Sequence, residues 1–228
     1  MSENPNDQIK KNIQLELLSH PDPETTGKKI IFLIGLLAFL LPSLIYGISV
    51  IQGYVIQSSL SHNYFSNLRE IFTGILFSIG LMMICYSTIP DSFDPKEIKK
   101  NLREKIYARV AAVCSILIAL FPTSPHKGNS YPRDIQQYTL NGDYNCVNNF
   151  IHTGSALLLF VILSLFCFDI FTKAEGKHNS KYIFLGVLIW IGILIAGLIK
   201  TTHAVLIGET IALFAFGISW MIRGKVND

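Results

Sequence analysis

The chain has 228 residues, 50% of them hydrophobic and 15% charged, with a formal net charge of +3. A soluble domain carries about 25% charged residues, so the composition points away from an ordinary water-soluble fold. The small basic excess is spread among loops rather than clustered, which argues against a nucleic-acid partner.

In chain order, the first 29 residues are polar and contain Pro5, Pro21 and Pro23. They are too polar for a secretory signal and are expected to form a disordered or loosely docked cytosolic arm. Six apolar blocks follow, at 30–51, 69–88, 107–122, 148–169, 181–199 and 203–222. Their apolar residues surround the helix instead of forming one stripe, as lipid-facing helices require. Each is near the ~20 residues that cross ~30 Å of hydrocarbon, the third being the shortest. Lipid offers the backbone no hydrogen-bond partners, so the spans must be helical. The period-two pattern of a membrane β-barrel is absent. The expected fold is an all-α, six-helix transmembrane bundle over residues 30–224, with a short tail at 225–228. Pro42 is expected to kink the first helix. Glycines at 74, 80, 154, 186, 192, 197, 208 and 217 suit close helix packing.

Lys and Arg predict the orientation. The N-terminal arm holds Lys10, Lys11, Lys28 and Lys29. The second loop holds Lys96, Lys99, Lys100, Arg103 and Lys105; the fourth holds Lys173, Lys177 and Lys181; the C-terminus holds Arg223 and Lys225. The opposite face has only Arg69, Lys127, Arg133 and Lys200. Both termini are therefore expected in the cytoplasm. Arg109 lies near the cytosolic end of the third block and can snorkel. The charged run 96–105 reads as a solvated loop that could touch anionic lipid. The outer loop 123–147 is long for a connector. Cys85, Cys114 and Cys167 lie in spans, and Cys146 alone lies in an outer loop, so no disulfide is expected across that face.

Four of the six histidines, His62, His126, His152 and His203, map to the outer face. There the second, fourth and sixth helices begin, with Asn67, Arg69 and Glu70, with Asn148, Asn149 and His152, and with Thr201, Thr202 and His203. The Asn and Thr residues are expected N-caps. Helix N-termini with nearby Arg and Lys favour an anion such as a lipid phosphate. Glu209 lies roughly 9 Å deeper than His203 at 1.5 Å per residue. A carboxyl at that depth either faces a partner or wet cavity, or serves protonated as interhelical glue. The expectation is a polar pocket open to the extracytoplasmic face, lined by Ser61, His62, Arg69, Glu70, His152, His203 and Glu209, that binds a lipid headgroup or other anion.

Two catalytic alternatives use the same face. A metal-assisted lipid hydrolase would take zinc on His62, His152 and His203, with Glu70 or Glu209 as ligand or base. No HxxxH or HExxH spacing accompanies these residues. An intramembrane serine hydrolase would pair Ser155 with His203, a layout similar to rhomboid proteases. The segment Thr153-Gly154-Ser155-Ala156 departs from the rhomboid GxSG, and the second span lacks HxxxN.

The runs SLSHNYFSNLREIFTGILFSIG, ALFPTSP, NFIHTGSALLLF and ETIALFAFGISWMIRG resemble bacterial six-span integral membrane proteins of unknown function. These are similar in plan to the DRAM/Sfk-like membrane proteins. The resemblance covers about residues 30–224. It implies six helices, residence in the bacterial inner membrane, and an outer polar site at Ser61, Arg69, Pro122, His152 and Glu209. It implies no particular reaction.

Overall fold

The computed structural model describes residues 23–89, 95–124, 146–172 and 180–225, and among these there is no strand. The helices are α1 (Pro23–Gln52), α2 (Arg69–Ser87), α3 (Pro95–Leu120), α4 (Cys146–Leu165), α5 (Ser180–Leu198) and α6 (Ala204–Gly224). A π turn, Phe166–Phe171, prolongs α4, and a 3-10 turn, Ser61–Phe65, lies between α1 and α2. The N-terminal arm up to residue 22 and most of the 123–147 loop lie outside the described residues.

Each helix packs on its neighbours in sequence, and α6 returns to α1, so the six form a closed ring. Elements consecutive in sequence commonly meet in space, which favours this arrangement. Among the described residues, five helical stretches are long and apolar enough to cross a membrane: Thr25–Gln52, Arg69–Ser87, Val147–Phe171, Ser180–Leu198 and Ala204–Gly224. Large apolar side chains such as Phe184, Leu194 and Leu198 face outward. In water that surface would be costly; in lipid it is matched. The chain is therefore a multi-pass helical membrane protein.

Two boundaries differ from the sequence reading. The first helix starts at Pro23, seven residues before the apolar block, because TGKK continues the helical turn that the block begins. The charged run 96–105 is helix rather than loop, the first half of the 26-residue α3. Its apolar half, Tyr107–Leu120, is shorter than the ~20 residues that cross the hydrocarbon, and it carries Arg109. Yet α3 lies antiparallel between α2 and α4 over their length. Near one end Tyr86 of α2 donates to Glu104 of α3. Further along, the Ser115 hydroxyl donates to the Leu76 carbonyl at 2.7 Å. Against α4, Arg103 pairs with Asp169 of the π turn at 2.9 Å. At the opposite end His152 meets Phe121.

Where backbones approach, glycine permits it. A methyl group on Gly192 of α5 would stand 2.5 Å from the Gly208 carbonyl oxygen of α6. One on Gly35 of α1 would stand 2.6 Å from that of Gly217 in α6. Lipid supplies no hydrophobic drive between helices, so dispersion across such close contacts takes its place. Gly80 and Gly186 are similarly covered, but an added Cβ at Gly74, Gly154 or Gly197 meets nothing within 4 Å. Close packing does not explain these three. The core centres on Trp220, fully buried, with Phe166, Phe171, Phe216 and Tyr86 rings 4.9–5.7 Å from it. Helix α1 runs through Pro42 as one element, with the Ser43 hydroxyl donating to the Phe39 carbonyl at 2.8 Å.

Candidate functional site

The connection between α1 and α2 builds the polar end of the bundle. Gly53, at φ +66°, closes α1 in the left-handed conformation that glycine adopts without strain. Tyr54 N–H then returns to the Ser49 carbonyl at 2.8 Å. A short polar run, SSLSHN, follows and tightens into the 3-10 turn. Asn63 holds that turn by donating its side-chain amide to the Leu60 carbonyl at 3.1 Å. Leu60, Tyr64, Phe65 and Leu68 are buried and plug this end of the ring.

The run closes around Glu209. The Ser59 hydroxyl straddles the carboxylate, 3.0 Å from Oε1 and 2.8 Å from Oε2. Leu60 N–H donates to Oε2 at 2.7 Å, and the Ser61 hydroxyl donates to Oε1 at 3.1 Å. Ser61 N–H in turn donates to the Ser59 oxygen at 3.0 Å, which orients that hydroxyl toward the carboxylate. Three consecutive residues thus form a cradle of neutral donors. Among the described residues no Lys or Arg pairs with Glu209. Four hydrogen-bond contacts from one short run converge on Glu209, so it fastens the connection to α6. Beside it Leu206 N–H, an otherwise unpaired donor of the first turn of α6, reaches the Ser58 carbonyl at 3.1 Å. Deeper in the bundle Tyr46 of α1 and Thr210 of α6 share a bond of 3.4 Å.

The same connection also fastens α3. Tyr64 donates its hydroxyl to the Leu120 carbonyl at 3.2 Å. Arg69 lies over the Tyr64 ring, 4.7 Å from its centroid, and its Nη2 donates to the same hydroxyl at 3.4 Å. His152, nearly fully buried, has Nδ1 2.7 Å from the Phe121 carbonyl. A carbonyl only accepts, so Nδ1 carries the proton. Its Nε2 has no hydrogen-bond partner among the described residues. Asn149 accepts from Ser124 N–H at 2.9 Å and from the Thr123 hydroxyl at 3.3 Å. Carbonyls at the end of a helix lack intrahelical partners, and Tyr64 and His152 supply them for the end of α3.

Of the residues singled out in the sequence, the structure joins Ser61 to Glu209. His62 Nδ1 lies 2.9 Å from the Ser58 hydroxyl. His203 is exposed at the N-cap of α6, and Glu70 is exposed in the first turn of α2. His152 belongs to a separate contact, the α3–α4 junction, and shares no hydrogen bond with Glu209 or His203. Ser155 bonds to no histidine; it lies in an apolar groove between α3 and α4. No three His, Cys, Asp or Glu side chains come together as a metal-ligand set among the described residues. His126, Lys127 and Arg133 lie outside the described residues.

The expected caps also differ. Leu68 and His203 hold the N-cap positions of α2 and α6, and neither makes a side-chain capping bond. Ser66 stands in for Asn67 by accepting Leu68 N–H at 3.1 Å. Asn149 secures the chain that leaves α3. Sequence reasoning missed Ser58, Ser59 and Tyr64. The available signal was three hydroxyls in four residues, SSLS, preceding a carboxyl that an apolar helix leaves without a cation. No known protein family, curated protein or solved structure matches the chain.

Proposed function

We propose that the protein crosses the membrane six times, with both termini cytoplasmic, and binds an anionic lipid headgroup at its extracytoplasmic rim. Support for the sixth crossing is the antiparallel register of α3 against α2 and α4, from Tyr86–Glu104 at one end to Tyr64–Leu120 at the other. A helix that matches two spanning neighbours end to end shares their depth. Orientation follows the basic residues, since Lys28, Lys29, Arg103, Lys105, Lys181, Arg223 and Lys225 gather at the end away from the rim.

The rim reading rests on one observation: the Ser59–Leu60–Ser61 cradle on Glu209 fixes the connection that carries His62 and Arg69. Glu209 is satisfied inside the fold by the donors around it. Arg69, half-exposed and stacked on Tyr64, lies at the same rim as the exposed His203 and Lys200, and these side chains would meet the headgroup. Pre-positioned cations lose less freedom on binding than mobile ones. Among the described residues, the serine and metal hydrolase readings have no comparable geometry behind them.

The reading is tested by titrating the purified protein with glycerol 3-phosphate, a soluble headgroup. Arg69→Gln is expected to weaken binding by roughly ten- to a hundredfold, as loss of a charge-assisted bond of about 1.5–3 kcal/mol requires. Equal binding by wild type and variant contradicts it.

A further inference from the structure

The groove between α3 and α4 runs along the outside of the bundle and has a volume of about 510 Å³. That is within the roughly 300–1,000 Å³ of small-molecule sites. Buried Cys114 and Ser155 form its floor; exposed Val113, Phe150 and Leu158 form its walls. Two features separate it from an accidental gap between helices. Gly154 lines it, and a Cβ there would meet nothing within 4 Å. Mid-helix glycine costs about 1 kcal/mol relative to alanine, and no neighbouring backbone accounts for it. The missing side chain keeps the groove open. Arg109, also in the lining, is exposed and makes no ion pair among the described residues. It is the only charged residue in a lining that is apolar but for Cys114 and Ser155.

We propose that this groove holds one acyl chain of an anionic phospholipid from the cytoplasmic leaflet, with the lipid phosphate on Arg109. The groove residues climb α3 from Arg109 to Leu117, about 12 Å at 1.5 Å per residue, which suits an extended chain lying along the helix. Arg109 is six residues inside Arg103, whose Asp169 partner lies at the end of α4. Its long side chain can lean back toward the headgroups while its stem stays in the groove. Guanidinium then meets phosphate in the two-pronged geometry that suits both. A zwitterionic lipid would bring a further cation to the end of the bundle where Lys and Arg already predominate. The proposal shares the membrane reading given above, but its headgroup contact is Arg109, toward the end of the groove away from the rim, while the other end of the groove reaches Phe150 near the rim.

The test places the full-length protein in bilayer discs of equal phosphatidylglycerol and phosphatidylcholine. The protein is then released in mild detergent, and retained lipids are counted by native mass spectrometry. Wild type is expected to retain one phosphatidylglycerol several-fold in excess of phosphatidylcholine. Gly154→Leu fills open space and should lower that retention several-fold with helix content unchanged. Leu158→Trp narrows the same groove from its wall and should act in the same direction. Arg109→Gln should retain both lipids equally, while Arg69→Gln should match wild type. Undiminished phosphatidylglycerol in both groove variants, or no preference in wild type, overturns the proposal. Loss confined to Arg69→Gln also overturns it and assigns the retained lipid to the rim.

Discussion

At the scale of single residues, Glu209 shows how a carboxyl is kept inside an apolar bundle. It takes no cation. It takes two hydroxyls and a backbone N–H from one short run. Glu209→Gln replaces one carboxyl oxygen by an NH2 group that faces donors needing acceptors. We expect a loss of about 1–3 kcal/mol, read as a lower melting temperature in detergent. Ser59→Ala should cost less. The double variant should cost less than the sum of the two, with a coupling of about 0.5–3 kcal/mol; strict additivity would show that the bonds are not formed. Glu70→Gln, on an exposed carboxyl, should stay within about 0.5 kcal/mol of wild type. The sequence made Glu209 conspicuous as an ionisable group in an apolar block. Its partners were hidden because they lie about 150 positions earlier, and hydroxyls in a loop follow no period that points to their acceptor.

At the scale of elements, glycines sort by what faces them. Gly192 and Gly208 bring α5 and α6 into backbone contact. Gly208→Val should overpack that contact and destabilise by about 1–3 kcal/mol or more. Gly74→Ala and Gly197→Ala meet open space and should be neutral or stabilising by up to about 1 kcal/mol. Thermal unfolding of the three variants in one detergent checks the order; equal losses at all three would refute it. The apolar blocks located five spans because a lipid-facing helix announces itself by composition alone. The same all-round apolarity carries no phase, so it could not say which glycines faced a neighbour. Nor could it show the π turn at Phe166–Phe171, which lies in the same apolar pattern as α4. The polar starts of α1 and α3 were hidden for the opposite reason: charged turns that extend a span into water look like loops.

At the scale of the whole molecule, the ring is closed at one end by the 3-10 plug and its bonds to α3 and α6. Arg103–Asp169 and the aromatic cluster around Trp220 brace the other half. This assembly explains why His152 and Glu209 look alike in sequence yet act apart: each fastens a different helix junction. It also makes α3 inseparable from α2 and α4, so the crossing number stands or falls with that register.

Single-cysteine accessibility in intact cells tests this most directly. In a chain whose own cysteines are replaced, an impermeant maleimide should label Ser124→Cys and His203→Cys. It should reach Ile89→Cys and Lys225→Cys only after lysis. Labelling of positions 89 and 124 from the same side would contradict a membrane-crossing α3, and labelling of 225 in intact cells would turn the histidine-bearing rim toward the cytoplasm.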